Sequence, residues 1–149
     1  MDFRLLFESL PGMYLILTPT LKIVAVTDAY LKATLTRRDD VVGRPLFEVF
    51  PDNPQDEHAT GSLNLRASLA RVHATRKPHV MALQRYDVAD LDNPDTFVEK
   101  FWSPVNTPVF DSDGSLIYII HQVEEVTEFV KQGRAGTARP DCGYGAASQ

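Results

Sequence analysis

The chain has 149 residues, 44% hydrophobic and 23% charged, with 20 acidic against 15 basic side chains and a formal charge of −5. That is one globular domain with enough chain to bury a core, and its acid excess argues against a phosphate-binding surface and so against nucleic acid as a partner. A single cysteine, Cys142, excludes an internal disulfide or a cysteine-based zinc site and fits a reducing, cytoplasmic compartment.

The first residues, MDFRLLFESLPGMYLILTP, carry apolar stretches too short and too interrupted by Pro11 and Pro19 to span a membrane, and they lack a signal-peptide pattern. Phe3, Leu6, Phe7 and Leu10 fall at helical spacing, so 3–10 reads as a short amphipathic helix, either a cap on its own domain or a self-association helix. Pro11-Gly12 stops it. Met13–Leu17 and Lys22–Val26 then read as a hairpin turned at Thr18-Pro19-Thr20. Thr27 or Asp28 caps a helix through Ala29, Tyr30, Leu31 and Ala33. A helical turn over 36–42 ends at Gly43, and Pro45 to Phe50 precedes the break at Pro51-Asp52-Asn53-Pro54. A longer helix covers 61–75, with Leu65, Leu69 and Val72 as its core stripe.

The remainder reads as β: one strand over 79–88, a polar loop over 90–95, a strand over 97–109, the turn Asp111-Ser112-Asp113-Gly114, and a strand over 116–123. A helix starts over 126–131, and the Gly-, Ala- and Ser-rich residues beyond read as a tail or linker. The order gives an α+β domain whose first hairpin is separated in sequence from three later antiparallel strands. Alternation places Ile117, Ile119, His121 and Val123 on one face, with Tyr118 and Ile120 on the other. His121 is then either a core histidine bonded to a backbone carbonyl or a ligand partner and proton-sensitive switch.

Four segments in this order resemble the PAS family of sensory domains over roughly residues 5–130. They are Leu10-Pro11-Gly12-Met13-Tyr14 with its hairpin, Val26-Thr27-Asp28-Ala29-Tyr30, Val42-Gly43-Arg44-Pro45-Leu46 with Phe47 and Phe50, and the hairpin ending in Glu124-Glu125-Val126-Thr127. Arg85-Tyr86-Asp87 with the run from Phe101 to Val109 is similar to a subgroup found in bacterial two-component sensor histidine kinases. The resemblance implies a five-stranded antiparallel sheet with short helices over its concave face and a cavity between them. It also implies that Glu125 and Thr127 stand for the family's Asp-x-Thr signature, where the sheet hands over to an outgoing signalling helix, with glutamate in place of aspartate.

In that family, cofactor chemistry depends on particular side chains. Flavin adducts need a cysteine on a core helix, and Cys142 lies in the tail. The Asn and Gln that hold the flavin ring are replaced by Ser103 and Val123, which also disfavours non-covalent flavin. Haem needs an axial imidazole in an apolar pocket; Lys77-Pro78-His79 resembles the later element of haem-binding relatives, but Leu65 stands fourteen residues before His79 where their ligand would be. His73 sits at the edge of the core stripe and His58 in a loop. The acidic loop Asp87, Asp90, Asp92, Asp95 lacks calcium-loop spacing, and no phosphate loop, nucleophile elbow or metal cluster is present.

The expected organisation is an N-terminal helix (1–11), a PAS sensory domain (12–131) and a flexible tail (132–149). The expected function is a non-catalytic sensory module for a small apolar ligand, or an apo module working by dimerisation. The rivals are a sensor fragment of a histidine kinase whose catalytic core lies outside these residues, a haem-based gas or redox sensor, and a structural dimerisation module. The candidate pocket residues are Leu15, Leu17, Tyr30, Phe47, Phe50, Leu65, Leu69, Phe101, Val105, Ile119 and His121. The expected partners are a second copy, through the N-terminal helix and outer sheet face, and a downstream kinase or response regulator. No catalytic residue, metal site, nucleic acid or membrane is expected.

Overall fold

A computed structural model describes residues 1–90 and 92–136. The Asp2 side chain caps α1 (Phe3–Glu8) by accepting from the Leu5 N–H. β1 (Met13–Leu17) and β2 (Ile23–Val26) form the expected hairpin, with Leu15 opposite Val26. Thr27 caps α2 (Asp28–Thr34) and does more than cap it. Its buried Oγ1 accepts from the N–H groups of Tyr30 and Tyr14 and donates to the Gly12 carbonyl, so one hydroxyl ties helix, strand and preceding turn together. Two single-turn helices follow, α3 (Arg38–Val41) and α4 (Leu46–Val49), with Gly43 between them at φ +91°, which favours glycine. The longer α5 (Gly61–Thr75) buries Leu65, Ser68, Leu69 and Val72.

The stretch 79–88 is not one strand. It breaks into β3 (His79–Val80), β4 (Gln84–Arg85) and the start of β5 (Val88–Ala89), because of the strand it pairs with. β7 (Phe101–Phe110) takes Val80 opposite Val105 but Gln84 opposite Trp102, leaving one extra residue between the two pairs. Pro104 sits at that point. Its carbonyl accepts from the Met81 N–H, but it has no N–H to return, so the ladder bulges there. β5 pairs instead with β6 (Phe97–Val98) in a separate two-stranded ribbon, which detaches 97–98 from the strand expected over 97–109.

β8 (Leu116–Glu125) completes the sheet. All pairs are antiparallel, in the order β2-β1-β8-β7-β3, with β4 beside β3 on the same edge of β7. This is the expected α+β sheet with five strand positions, the last filled by two pieces. A second bulge, between Val109 and Phe110 opposite Ile117, turns Ile117 out to 36% exposure, off the inner face where alternation put it. Ile119, His121 and Val123 do face inward. Leu15, Leu17, Ile23, Val26, Leu46, Leu69, Val72 and Ile119 form the core between sheet and helices, each at most 1% exposed.

The described residues close with α6 (Thr127–Gly136), which continues past the expected end at Lys131. Arg134 reaches back to Glu99 at 3.1 Å and lies 4.8 Å over the Phe101 ring, so contacts with the sheet carry the helix through Gly133. Residues 137–149, including Cys142 and most of the expected tail, lie outside the described residues. No described helix is long and apolar enough to cross a membrane.

Candidate functional site

Between the inner sheet face and the helices lies a cavity of about 40 Å³, room for about three water molecules as it stands. Tyr30 and Thr34 reach it from α2, Leu46 and Phe50 from around α4, and Gly61 and Leu65 from α5. Met81, Gln84, Tyr86 and Val88 line it from the broken edge, and Trp102, Pro104, His121 and Val123 from the two long strands. No lining residue carries a formal charge. The wall is held in place by two directed bonds: Tyr86 Oη donates to the Phe50 carbonyl at 2.5 Å, and Trp102 Nε1 donates to the Tyr86 carbonyl at 2.8 Å.

One polar chain crosses this apolar interior. His121 Nδ1 lies 2.6 Å from Asn106 Oδ1, Asn106 Nδ2 lies 2.9 Å from Ser68 Oγ, and Ser68 Oγ lies 2.7 Å from His79 Nδ1. The direction of these bonds follows from Asn106. Its amide nitrogen also approaches Met81 Sδ at 3.5 Å, and a thioether only accepts. The Asn106 oxygen therefore faces His121, so His121 Nδ1 carries the proton and donates, and Ser68 in turn donates to His79 Nδ1. Burial lowers the His121 pKa to about 4, which keeps the ring neutral near neutral pH. Nε2 is then left with a lone pair and no hydrogen-bond partner among the described residues.

Tyr30 stands edge-on to both neighbouring rings, 6.0 Å from Phe50 and 6.1 Å from His121 between centroids. Burial raises its pKa, so the phenol stays protonated. Its Oη has no hydrogen-bond partner among the described residues either. Neither atom is walled off. Among the described residues, the one fully occluded polar side-chain atom without a hydrogen bond is Arg38 Nε, itself ion-paired with Glu8 at 3.3 Å. Tyr30 Oη and His121 Nε2 therefore open onto the cavity that their side chains line.

Of the expected pocket residues, the fold brings Tyr30, Phe50, Leu65 and His121 to the cavity wall. Leu15, Leu17, Leu69 and Ile119 are buried core beside it, and Phe47 is half-buried with Arg66 stacked 4.2 Å over its ring. Phe101 and Val105 are not among the residues that line the cavity: on β7 they alternate with Trp102, Pro104 and Asn106, which face inward. The bulge at Ile117 sets this register. Counting outward from the turn without it would set Val105 opposite His121, but the extra residue moves Asn106 there. Asn106 and Trp102 were missed because alternation did not fix the inner face of β7, Tyr86 and Met81 because they sit on the broken edge, and Ser68 as a buried polar residue of α5 beside Leu69; a polar Asn between Val105 and Thr107 was the available signal. Leu65 offers no metal-ligating atom from α5, His73 is exposed, and the void is far smaller than a porphyrin or a flavin ring. Among the described residues no group of His, Cys, Asp or Glu is arranged to hold a metal ion.

The strand that lines the cavity runs straight into the joint. Val126 N–H donates to the Phe101 carbonyl at 2.8 Å, and Thr127 Oγ1 accepts from the Phe101 N–H at 3.0 Å. Both polar groups of one backbone residue thus hold the start of α6. Glu125 sits opposite Trp102 and pairs with Lys100 Nζ at 3.0 Å. Beside it, Arg85 and Asn53 bond the buried Asp87; burial alone would raise its pKa, but those bonds outweigh that and lower it.

The family model described as the PAS fold matches residues 7–131. Among solved structures, the chain is similar to a PAS domain from Colwellia psychrerythraea (TM-score 0.62, 8% identity, 82% of this chain and 92% of that one). It is also similar to the PAS domain of Bordetella pertussis BvgS (TM-score 0.57, 23% identity, 89% and 90%) and to a sensory box sensor histidine kinase from Vibrio cholerae (TM-score 0.56, 15% identity, 84% and 89%). No curated protein matches the chain. At these identities the likeness to the solved structures is one of fold, and with a family match over most of the chain it leads to one conclusion: this chain belongs to the PAS fold family.

Proposed function

We propose that the protein is a non-catalytic sensory module that takes a small, largely apolar ligand into the cavity under Tyr30 and His121. Occupancy alters how α6 leaves the sheet through Glu125 and Thr127. The observation that carries this reading is continuity. His121 and Val123 line the cavity, and within four residues the same strand reaches a helix start clamped to Phe101, whose neighbour Trp102 also lines the cavity. A ligand that prefers one packing of the wall shifts the joint by its differential affinity, and a few kcal/mol suffices. In this reading the protein works in the cytoplasm and its output is a kinase or response regulator; the likeness to a structure described as a sensor histidine kinase supports the kinase.

A second reading rests on α1. Phe3, Leu5, Leu6 and, just after the helix, Leu10 are each at least 42% exposed, and Val24 and Tyr118 are exposed on the outer face of the sheet. That surface favours self-association, which would make a ligand unnecessary.

Thermal melting against a library of small neutral molecules separates the two. At about 100 times its dissociation constant, a cavity ligand stabilises the fold by about 2.7 kcal/mol, a rise in Tm of about 5–10 °C for a domain of this size. No shift from any member, together with concentration-dependent dimerisation, would replace the sensor reading with the structural one.

A further inference from the structure

We infer that the cavity's ligand is an uncharged, mainly apolar molecule bearing a hydroxyl group, held between Tyr30 and His121. This rests on reading the cavity as a ligand site and goes further by assigning the chemistry of what enters. Two polar atoms open into the cavity without partners, on side chains that are 94–97% buried: Tyr30 is 6% exposed and His121 3%. The Asn106–Ser68–His79 relay fixes the role of His121. His121 Nδ1 is spent as a donor, so Nε2 is an acceptor and asks the ligand for a donated hydrogen. Tyr30 Oη–H has no acceptor and asks for a lone pair. A hydroxyl supplies both from one atom, which suits so small a void. A carbonyl or ether would satisfy Tyr30 alone.

Charge is excluded by the lining. A carboxylate would meet the His121 lone pair and no cation, since none of the lining residues is Lys or Arg. An ammonium would meet no carboxylate, and burying an unpaired charge is costly. The ligand's body is selected by Phe50, Leu65, Met81 and Trp102, and one flat ring or a short aliphatic chain is the size that modest repacking would admit.

The test uses the full chain and three probes: phenol, toluene (a methyl in place of the hydroxyl) and benzoate. Binding is read by fluorescence of Trp102, the single tryptophan, and by amide NMR shifts. Phenol should bind at least about tenfold tighter than toluene, the lower end of the net worth of the hydroxyl's two hydrogen bonds, and benzoate should not bind. Tyr30→Phe, which removes one oxygen and keeps the ring packing, should abolish most of phenol's advantage without weakening toluene. His121→Phe, which keeps a ring and removes the acceptor, should do the same. If toluene binds as well as phenol, or if phenol's advantage survives both substitutions, the hydroxyl inference is overturned while the ligand site stands. If none of the three probes binds, the ligand-site reading beneath it fails.

Discussion

Acidification from about pH 7 to about pH 5 is expected to weaken the fold through His121. Burial takes the His121 pKa from its ordinary 6.5 down to about 4 in the folded protein. Between those values the unfolded chain binds a proton that the folded chain refuses. Stability is therefore intact above the ordinary value, is lost as the pH falls through the window, and levels off near pH 4. Integrated over that interval, the loss reaches about 2 kcal/mol by pH 5 and about 3 kcal/mol in full. The His79 pKa is also lowered, by burial and then by Arg71, and adds with the same sign. Asp87, lowered from 3.8, acts only at lower pH.

Urea unfolding followed by Trp102 fluorescence reads the effect directly, because that side chain is buried in the wall. The midpoint should drop by about 1 M between the two pH values. His121→Gln should remove most of the drop whatever its own stability, and His79→Gln should remove less. An NMR titration provides the independent check: the His121 ring should not titrate above about pH 5. A ring that titrates near its ordinary value, or equal pH losses in the wild type and His121→Gln, would refute the argument that desolvation governs this residue.

Three further outcomes follow from single contacts. Thr127→Ala leaves the buried Phe101 N–H without its acceptor and should cost about 1–3 kcal/mol, with faster amide exchange in α6, whereas Thr127→Ser should lose much less. Gly61→Ala would place a Cβ 2.6 Å from the Tyr86 ring and 3.1 Å from the Arg85 carbonyl. The overpacking cost of about 1–3 kcal/mol should exceed the helix-propensity gain of about 1 kcal/mol, so Tm should fall; a rise would mean that the Tyr86 ring moves aside freely. Gly114→Ala tests backbone strain alone, since φ is +81° and the nearest heavy atom, Arg76 Nη2, is 3.8 Å from the new Cβ; it should cost about 1 kcal/mol in urea unfolding.

Local chemistry carried much of the fold in the sequence. The Thr27 cap, the helix over 61–75 and the Asp111–Gly114 turn depend on residues close in the chain, so their patterns are read without knowing what packs on them. The broken edge at 79–88 does not have this property, because its cause is Pro104 on another strand. The inner face of β7 was hidden for a related reason. Both faces of FWSPVNTPVF are rich in apolar side chains, so alternation alone cannot choose between Phe101 and Trp102. The choice is made by a one-residue bulge at Ile117 that leaves no composition signal. His121 was legible as an inward polar residue, but its partner Asn106 was not, and with it went the clue to which ring nitrogen faces the cavity. The continuation of α6 past Gly133 depends on Arg134 meeting Glu99 and Phe101, a contact that propensity could not foresee.

A sensor of this design requires that filling the cavity be felt at the helix. Amide exchange of residues 127–134 with and without saturating phenol measures this. Protection should change at Thr127 and across the first turns of α6, with the response lost in Thr127→Ala. Shifts confined to the cavity wall, with α6 amides unchanged while phenol is bound, would contradict the sensor reading.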